Sequence, residues 1–358
     1  MMISRKEIDS ILNKYNLDEL EICTLGSHTA LQIMKGAKVE SFKNLLLCTE
    51  KTMDFYKSWK IVDEIIEVDS YRSILSKNIQ KELIEKNSIL IPHGSFVEYV
   101  GAENIINKVK VPIHGNRLVL EWESDRKKER KWFEKSGLKV PREFKSPEDI
   151  DSLSIVKFPG ARGGGGYFLV KDGEEFYRKL KESDLPDDIK REYTIQEYII
   201  GTRFYPHFYY SPLDDKIELL GMDIRYESNI DGLVRIPSII QNQVGVDPEY
   251  VITGNIPVVM RESLLPKLMG LGRNLVEESK KLFKPGIVGP FCIEMVCTSE
   301  LEFVCFEISA RIVAGTNLFI NGSAYSNILY DEPMSCGRRI CREIRIAKEK
   351  NRLNEIIY

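Results

Sequence analysis

The chain has 358 residues, more than one hydrophobic core usually holds, so two or three lobes are expected. Hydrophobic residues make up 43% and charged residues 29%, which is ordinary for a soluble globular protein. The formal net charge of −3 leaves no global basic field for nucleic acid, and no apolar run approaches the roughly 20 residues of a membrane span. The amphipathic, charged segment 1–15 has no apolar stretch of the kind a signal peptide needs. The 7 cysteines include no CxxC pair, and Cys292, Cys297 and Cys305 fall in apolar, strand-like runs. They read as buried reduced thiols, which suits a cytoplasmic location.

In chain order, the run Leu20–Leu25 reads as a strand ending in Gly26-Ser27-His28, and Thr29–Gly36 as a helix. Strands follow at Asn44–Cys48 and Ile65–Val68, then a helix at Ile79–Lys86. A further strand, Ser88–Ile91, ends in Pro92-His93-Gly94-Ser95. Short apolar strands between helices predict a parallel sheet, whose ligands gather at the carboxyl ends of the strands. The charged stretch Glu121–Lys139 is helical in pattern, and a boundary is expected near it. The expected division is 1–124, 125–205 and 206–358. The middle part holds strands at Ser154–Phe158, Tyr167–Val170 and Thr194–Ile199, and a helix at Glu174–Glu182. The last part holds apolar runs at Ile217–Met222, Ile256–Val259, Pro290–Cys297 and Glu302–Glu307, with one long helix at Leu264–Leu282.

Three patterns carry chemistry. After the strand ending in Lys157 and Phe158 comes Pro159-Gly160-Ala161-Arg162, then the glycines Gly163, Gly164, Gly165 and Gly166. Consecutive glycines cost backbone entropy and pack nothing, but they let N–H groups approach an anion closely, and Lys157 and Arg162 add positive charge beside them. The spacing matches neither GxxxxGK[ST] nor GxGxxG, so the P-loop and dinucleotide fingerprints fail; a plain hairpin tip is the alternative.

Next, Glu294 and Glu307 each lie in an otherwise apolar run, and the turn Thr298-Ser299-Glu300 makes the two runs a hairpin. Carboxylates on one face of it would hold Mg²⁺, with Asn317 and Asn321 as further oxygens; a structural ion pair with Arg311 is the alternative. Finally, Gln196-Glu197-Tyr198 before Gly201 suits a purine hinge, with a plain strand as the alternative, and Glu227 is another acid at a strand end, with a surface turn as its alternative. His28 and His93 occupy matching turns of the predicted parallel sheet, where histidines serve structure or chemistry.

In this order the elements resemble the ATP-grasp superfamily: an N-terminal parallel α/β lobe, a small lid lobe and a C-terminal mixed-sheet lobe. The runs Thr24–His28, Pro92–Phe96, Val156–Arg162, Arg225–Pro237, Tyr250–Pro257, Gly289–Cys292 and Phe306–Arg311 are similar to archaeal formate-dependent ligases of purine biosynthesis. These are the 5-formaminoimidazole-4-carboxamide ribonucleotide synthetases, and the likeness spans essentially the whole chain. The resemblance implies that formate, ATP and aminoimidazole carboxamide ribonucleotide (AICAR) are the substrates. It places His28, Ser95 and Asn255 on AICAR. It places Lys157, Arg162, Gly163–Gly166, Glu197, Tyr198 and Glu227 on ATP, and Glu294 and Glu307 on Mg²⁺ or Mn²⁺. His28, Lys157 and Arg311 are the implied catalytic groups. It also implies a homo-oligomer, trimer or hexamer, for which the segment Pro333–Lys348 is a candidate contact. Which of Arg126, Lys127 and Lys128 faces the site is left open. Rival expectations are a paralogous ligase with another acid or amine, and a nucleotide-binding regulator without turnover; a dehydrogenase lacks its glycine turn.

Overall fold

The computed structural model describes residues 2–158, 167–187, 189–246 and 249–358. The predicted anion loop, including Arg162, Gly163, Gly164, Gly165 and Gly166, lies outside the described residues.

The first sheet is parallel, in the order β3-β2-β1-β4, with β1 Glu21–Leu25, β2 Lys43–Cys48, β3 Glu64–Glu67 and β4 Ser88–Leu90. Its strands read as nearly continuous apolar runs because helices cover both faces. Helix Ala30–Val39 follows β1 and lies against helix Cys336–Glu349 from the far end of the chain. The two helices touch through glycine: a Cβ on Gly36 would meet the Arg338 backbone at 2.5 Å, and one on Gly337 would meet the Gln32 carbonyl at 2.5 Å. The apolar face of the expected oligomer helix is therefore spent inside the same chain.

The middle sheet is antiparallel, in the order β5-β8-β6-β7, with β5 Glu143–Phe144, β6 Ser154–Lys157, β7 Tyr167–Val170 and β8 Thr194–Glu197. It has its own core of Ile150, Val156, Phe158, Val170, Phe176 and Ile195. Helix Arg126–Lys135 does not join it. That helix packs on helix Leu265–Leu282, where the Trp132 indole donates to the Leu275 carbonyl at 3.1 Å. The stretch expected as one helix from Glu121 is two, Val119–Ser124 and Arg126–Lys135. Asp125 leaves helical geometry between them, and its side chain caps the second at Lys127 and Lys128.

The third sheet is antiparallel, in the order β11-β10-β9-β12-β13. Its strands are β9 Thr202–Ser211, β10 Lys216–Asn229, β11 Tyr250–Pro257, β12 Gly289–Cys297 and β13 Phe303–Ser309. The central strand β9 begins at Thr202. It is missing from the sequence expectation because Pro206 interrupts it, and proline usually marks an edge or no strand. One apolar core runs from Cys23 and Leu45 of the first sheet to Phe208 and Ile293 of the third, so these two lobes fold together.

Candidate active site

The floor of the site is one face of the third sheet. On β10 the alternation Asp223, Arg225, Glu227 puts three charged groups on the same side, and on β9 Arg203, Tyr205 and His207 do likewise. Each finds a partner. Arg203 meets both Glu227 oxygens at 2.8 Å and covers the Tyr250 ring at 4.5 Å. His207 Nε2 lies 2.7 Å from Asp223 Oδ1, and Asn255 Nδ2 donates to Asp223 Oδ2 at 2.6 Å. Glu227 and Asn255 were in the sequence expectation, but Asp223 and the pairing role of Arg225 were not, because the β10 run was ended at Met222, where alternating polar residues begin. That period of two was the available signal.

Glu294 and Glu307 stand directly opposite each other in the β12–β13 ladder. The Arg225 guanidinium grips both Glu294 oxygens, at 2.8 Å to Oε2, and its carbon lies 3.9 Å from the centre of the Tyr205 ring. The alternative, an ion pair with Arg311, is not formed. Arg311 turns instead to Glu123, at 3.1 Å. Among the described residues, no hydrogen bond or ion pair closes on Glu307. Water reaches it at the cleft floor, although protein crowds it on all other sides. Its carboxyl is pushed up to about 7, first by the Glu294 charge and then by burial, against the pull of Arg225, Lys157 and Arg311. Two hard oxygen donors whose joint ionisation is disfavoured fit a divalent cation. Asn317, read as a further oxygen donor, is engaged instead with the first sheet, its Oδ1 accepting from Gln32 at 2.8 Å.

β13 is the edge strand, and its free N–H groups are capped by acids from the two helices at 119–135. Glu129 accepts from Ile308 N at 2.6 Å, and Glu123 accepts from Ala310 N at 2.7 Å. Burial and the charges of Glu307 and Glu294 push the Glu129 carboxyl well up. Lys157, at the end of β6, faces this acidic group. Burial and Arg126 lower its value, while Glu307, Glu129 and Glu143 raise it. Of the three basic residues at 126–128, Arg126 is thus the one whose charge reaches Lys157, whereas Lys128 pairs with Glu121.

Glu197 lies half-buried in β8, its N–H bonded to the Arg142 carbonyl at 2.8 Å. The Tyr198 hydroxyl meets that of Tyr250 at 2.8 Å, and Tyr250 N donates to the Tyr167 hydroxyl at 2.9 Å. The residue that leaves the glycine loop is therefore tied to β11 of the third sheet.

The two histidine turns meet. The His28 and His93 rings stack at 5.2 Å with 5° between planes. Ser95 N donates to His93 Nδ1 at 3.2 Å, so Nε2 carries the proton and donates to the Leu25 carbonyl at 3.1 Å. His93 is thereby a structural group, held neutral by burial that lowers it to about 3. The Ser95 hydroxyl donates to that of Ser27 at 2.9 Å. His28 opens to the cleft in a left-handed conformation, φ +56°, and is held well below its ordinary value by burial, His93 and Arg311. A Cβ on Gly94 would lie 2.8 Å from His28 Nε2 and 3.6 Å from the Arg311 guanidinium carbon, so Arg311 stands between the histidines and the carboxylate pair.

A "5-formaminoimidazole-4-carboxamide-1-(beta)-D-ribofuranosyl 5'-monophosphate synthetase" from Methanocaldococcus jannaschii is 51% identical over 361 residues, covering 99% of this chain and 100% of that one. The chain belongs to this synthetase family. A member from Methanothermobacter thermautotrophicus is 48% identical over 99% of both chains. The crystal structure of an IMP biosynthesis protein PurP from Thermococcus kodakaraensis matches with a TM-score of 0.76 at 32% identity, covering 94% of this chain and 100% of that one. Models of a protein of unknown function (DUF1246) and a domain of unknown function (DUF1297) match residues 22–144 and 173–358. The ADP complex of an N5-carboxyaminoimidazole ribonucleotide synthetase matches with a TM-score of 0.63 at 14% identity, over 91% of this chain and 76% of that one; this shows the ATP-grasp fold alone. The synthetase family and this fold make the chain a ligase.

Proposed function

We propose that this protein formylates AICAR with formate and ATP, releasing ADP and phosphate. The observation that supports this most is the convergence of four features on one cleft: the His28 turn, Arg311, Lys157 and the opposed pair Glu294 and Glu307. Formate is a resonance-stabilised anion and a poor electrophile, so it must be activated. A formate oxygen attacks the γ-phosphorus of ATP, the bond to ADP breaks, and formyl phosphate results. The AICAR amine then attacks the formyl carbon, the C–O bond to phosphate breaks, and the nitrogen loses a proton.

In this reading Glu294 and Glu307 hold Mg²⁺ or Mn²⁺, which when bound neutralises phosphate charge. Lys157, the loop Arg162–Gly166, Glu197, Tyr198 and Glu227 hold ATP. His28, Ser95 and Asn255 hold AICAR, with His28 neutral and able to accept a hydrogen bond or a proton from the amine. Catalysis is mainly positioning and charge neutralisation. The spans 1–124, 125–205 and 206–358 serve mainly ribonucleotide, lid and metal, although helix Arg126–Lys135 stays with the third lobe and Asn255 and Glu227 of that lobe reach AICAR and ATP. The separate core of the middle sheet lets it close as a unit and keep water from the acyl phosphate. A cytoplasmic homo-oligomer, trimer or hexamer, belongs to the same proposal; sedimentation as a monomer would remove it.

The test is incubation with formate, ATP, AICAR and Mg²⁺, with the product identified by mass. One formamide per ADP is expected. ADP formed only with another acid or amine would move the protein to a paralogous ligase. Nucleotide binding without ADP would make it a regulator.

A further inference from the structure

The segment that leaves β13 runs from Arg311 to Asn317, and it touches both histidine turns of the first sheet. Ile312 forms a parallel bridge with His93. Asn317 Nδ2 donates to the His28 carbonyl at 3.1 Å. Gln32, buried one turn into the helix after His28, anchors the end of the segment. Its Nε2 donates to Thr316 Oγ1 at 2.6 Å and to Asn317 Oδ1 at 2.8 Å, and its Oε1 accepts from Gly337 N at 3.1 Å. Every polar atom of this 1% exposed amide is thus used. Asp223 presses on the same segment from below, where a Cβ on Gly315 would come within 2.4 Å of its Oδ1.

His28 needs such support. Residues with a side chain rarely adopt φ near +56°, and the conformation persists only where its surroundings fix it. We infer that Gln32 and Asn317 form a positioning clamp that sets His28 at a fixed distance from the Glu307 strand. The inference rests on the proposed reading of His28 as an AICAR contact. The chain from Glu307 through Arg311 to Asn317 is short, and the bond to His28 closes it into a loop. That loop registers the amine site against the acyl phosphate site. Neither clamp residue touches the reacting atoms.

Asn317→Asp tests this. Aspartate is isosteric and keeps the oxygen that faces Gln32, but it cannot donate to the His28 carbonyl. The KM for AICAR rises roughly fivefold, the equivalent of one modest hydrogen bond, while the KM for ATP and the melting temperature stay put. ADP exceeds formamide, because a misplaced amine leaves formyl phosphate to water. Equal rises in both KM values, or lost thermal stability with unchanged coupling, overturn the clamp. Gln32→Glu, which loses both donors but keeps the bond from Gly337, gives the same split between the two KM values, with a lower melting temperature because it buries a charge. Hydrogen exchange at residues 26–30 is read on the same proteins without substrate. Faster exchange in Asn317→Asp supports the clamp and unchanged exchange overturns it, even if wild type makes no formamide and the AICAR reading fails.

Discussion

The two halves of the cleft are built on opposite principles. On the first-sheet side the buried polar groups around His28 are answered: His93 by Leu25 and Ser95, Ser95 by Ser27, and Gln32 at all its polar atoms, with the His28 ring left open to the cleft. On the third-sheet side Glu294 and Glu307 are set against each other, and among the described residues only Glu294 has an ion pair, with Arg225. One side is complete without ligand, whereas the other is balanced only when a cation joins it. A recognition surface gains from being preformed. A metal site gains from stored repulsion, because the cation then releases it.

Glu307→Gln breaks the contrast hardest. Turnover falls by about a thousandfold, while the melting temperature without metal stays level or rises because a repulsion is gone. ADP release and thermal melting check this; near-normal turnover would remove the metal assignment. Glu294→Gln makes the same chemical change with the opposite effect on stability. It strands the Arg225 guanidinium in a pocket where Glu294 is only 2% exposed, at a cost of about 3 kcal/mol. Added Mg²⁺ raises the melting temperature of wild type and of neither variant. His28→Ala acts on the finished side. AICAR-dependent kcat/KM falls roughly ten- to hundredfold with little change in ATP binding. Equal loss of both would make His28 a structural residue.

The same contrast explains what could be seen in the sequence. The acids of the third sheet were legible because Glu294 and Glu307 interrupt apolar runs, and the short turn at 298–300 forces them into one hairpin. The histidine turns were legible as polar ends of apolar strands. The partners were not. Arg225 lies far from Glu294 in the chain, and only the insertion of β9 between β10 and β12 brings the outer strands to one sheet. Glu123 and Glu129 looked like ordinary helix charges until β13 proved to be an edge strand whose N–H groups needed acceptors. Gln32 carried no signal, since a glutamine in an apolar helix face gives no hint of what it meets after the C-terminal helix folds back. Local pattern singled out the acids and histidines of the proposed site, and topology supplied their partners.

The smallest expected effect is a difference in sign with pH. The unfolded chain protonates its histidines near 6.5, whereas folded His93, and His114 buried beside the Tyr209 hydroxyl of β9, stay neutral down to about 3. A lowered histidine value means the unfolded state takes up protons first as pH falls. The stability from these two groups is therefore full above 6.5 and drains between 6.5 and about 3, by at most ~1.4 kcal/mol per pH unit for each. Glu307 runs the other way. Its folded value is raised to about 7 against 4.5, so the native state takes up the proton first, and stability from this group grows as pH falls from 7 toward 4.5. Denaturant melts from pH 7.5 to 5 separate the two. In Glu307→Gln the acid loss is steeper than in wild type, because the compensating group is gone. In His93→Gln it is shallower. Mg²⁺ at saturating concentration keeps Glu307 ionised, so it steepens the wild-type curve and leaves Glu307→Gln unmoved. A Glu307→Gln curve parallel to wild type at every pH would mean that the two carboxylates do not repel, and the contrast between the halves of the cleft would be lost with it.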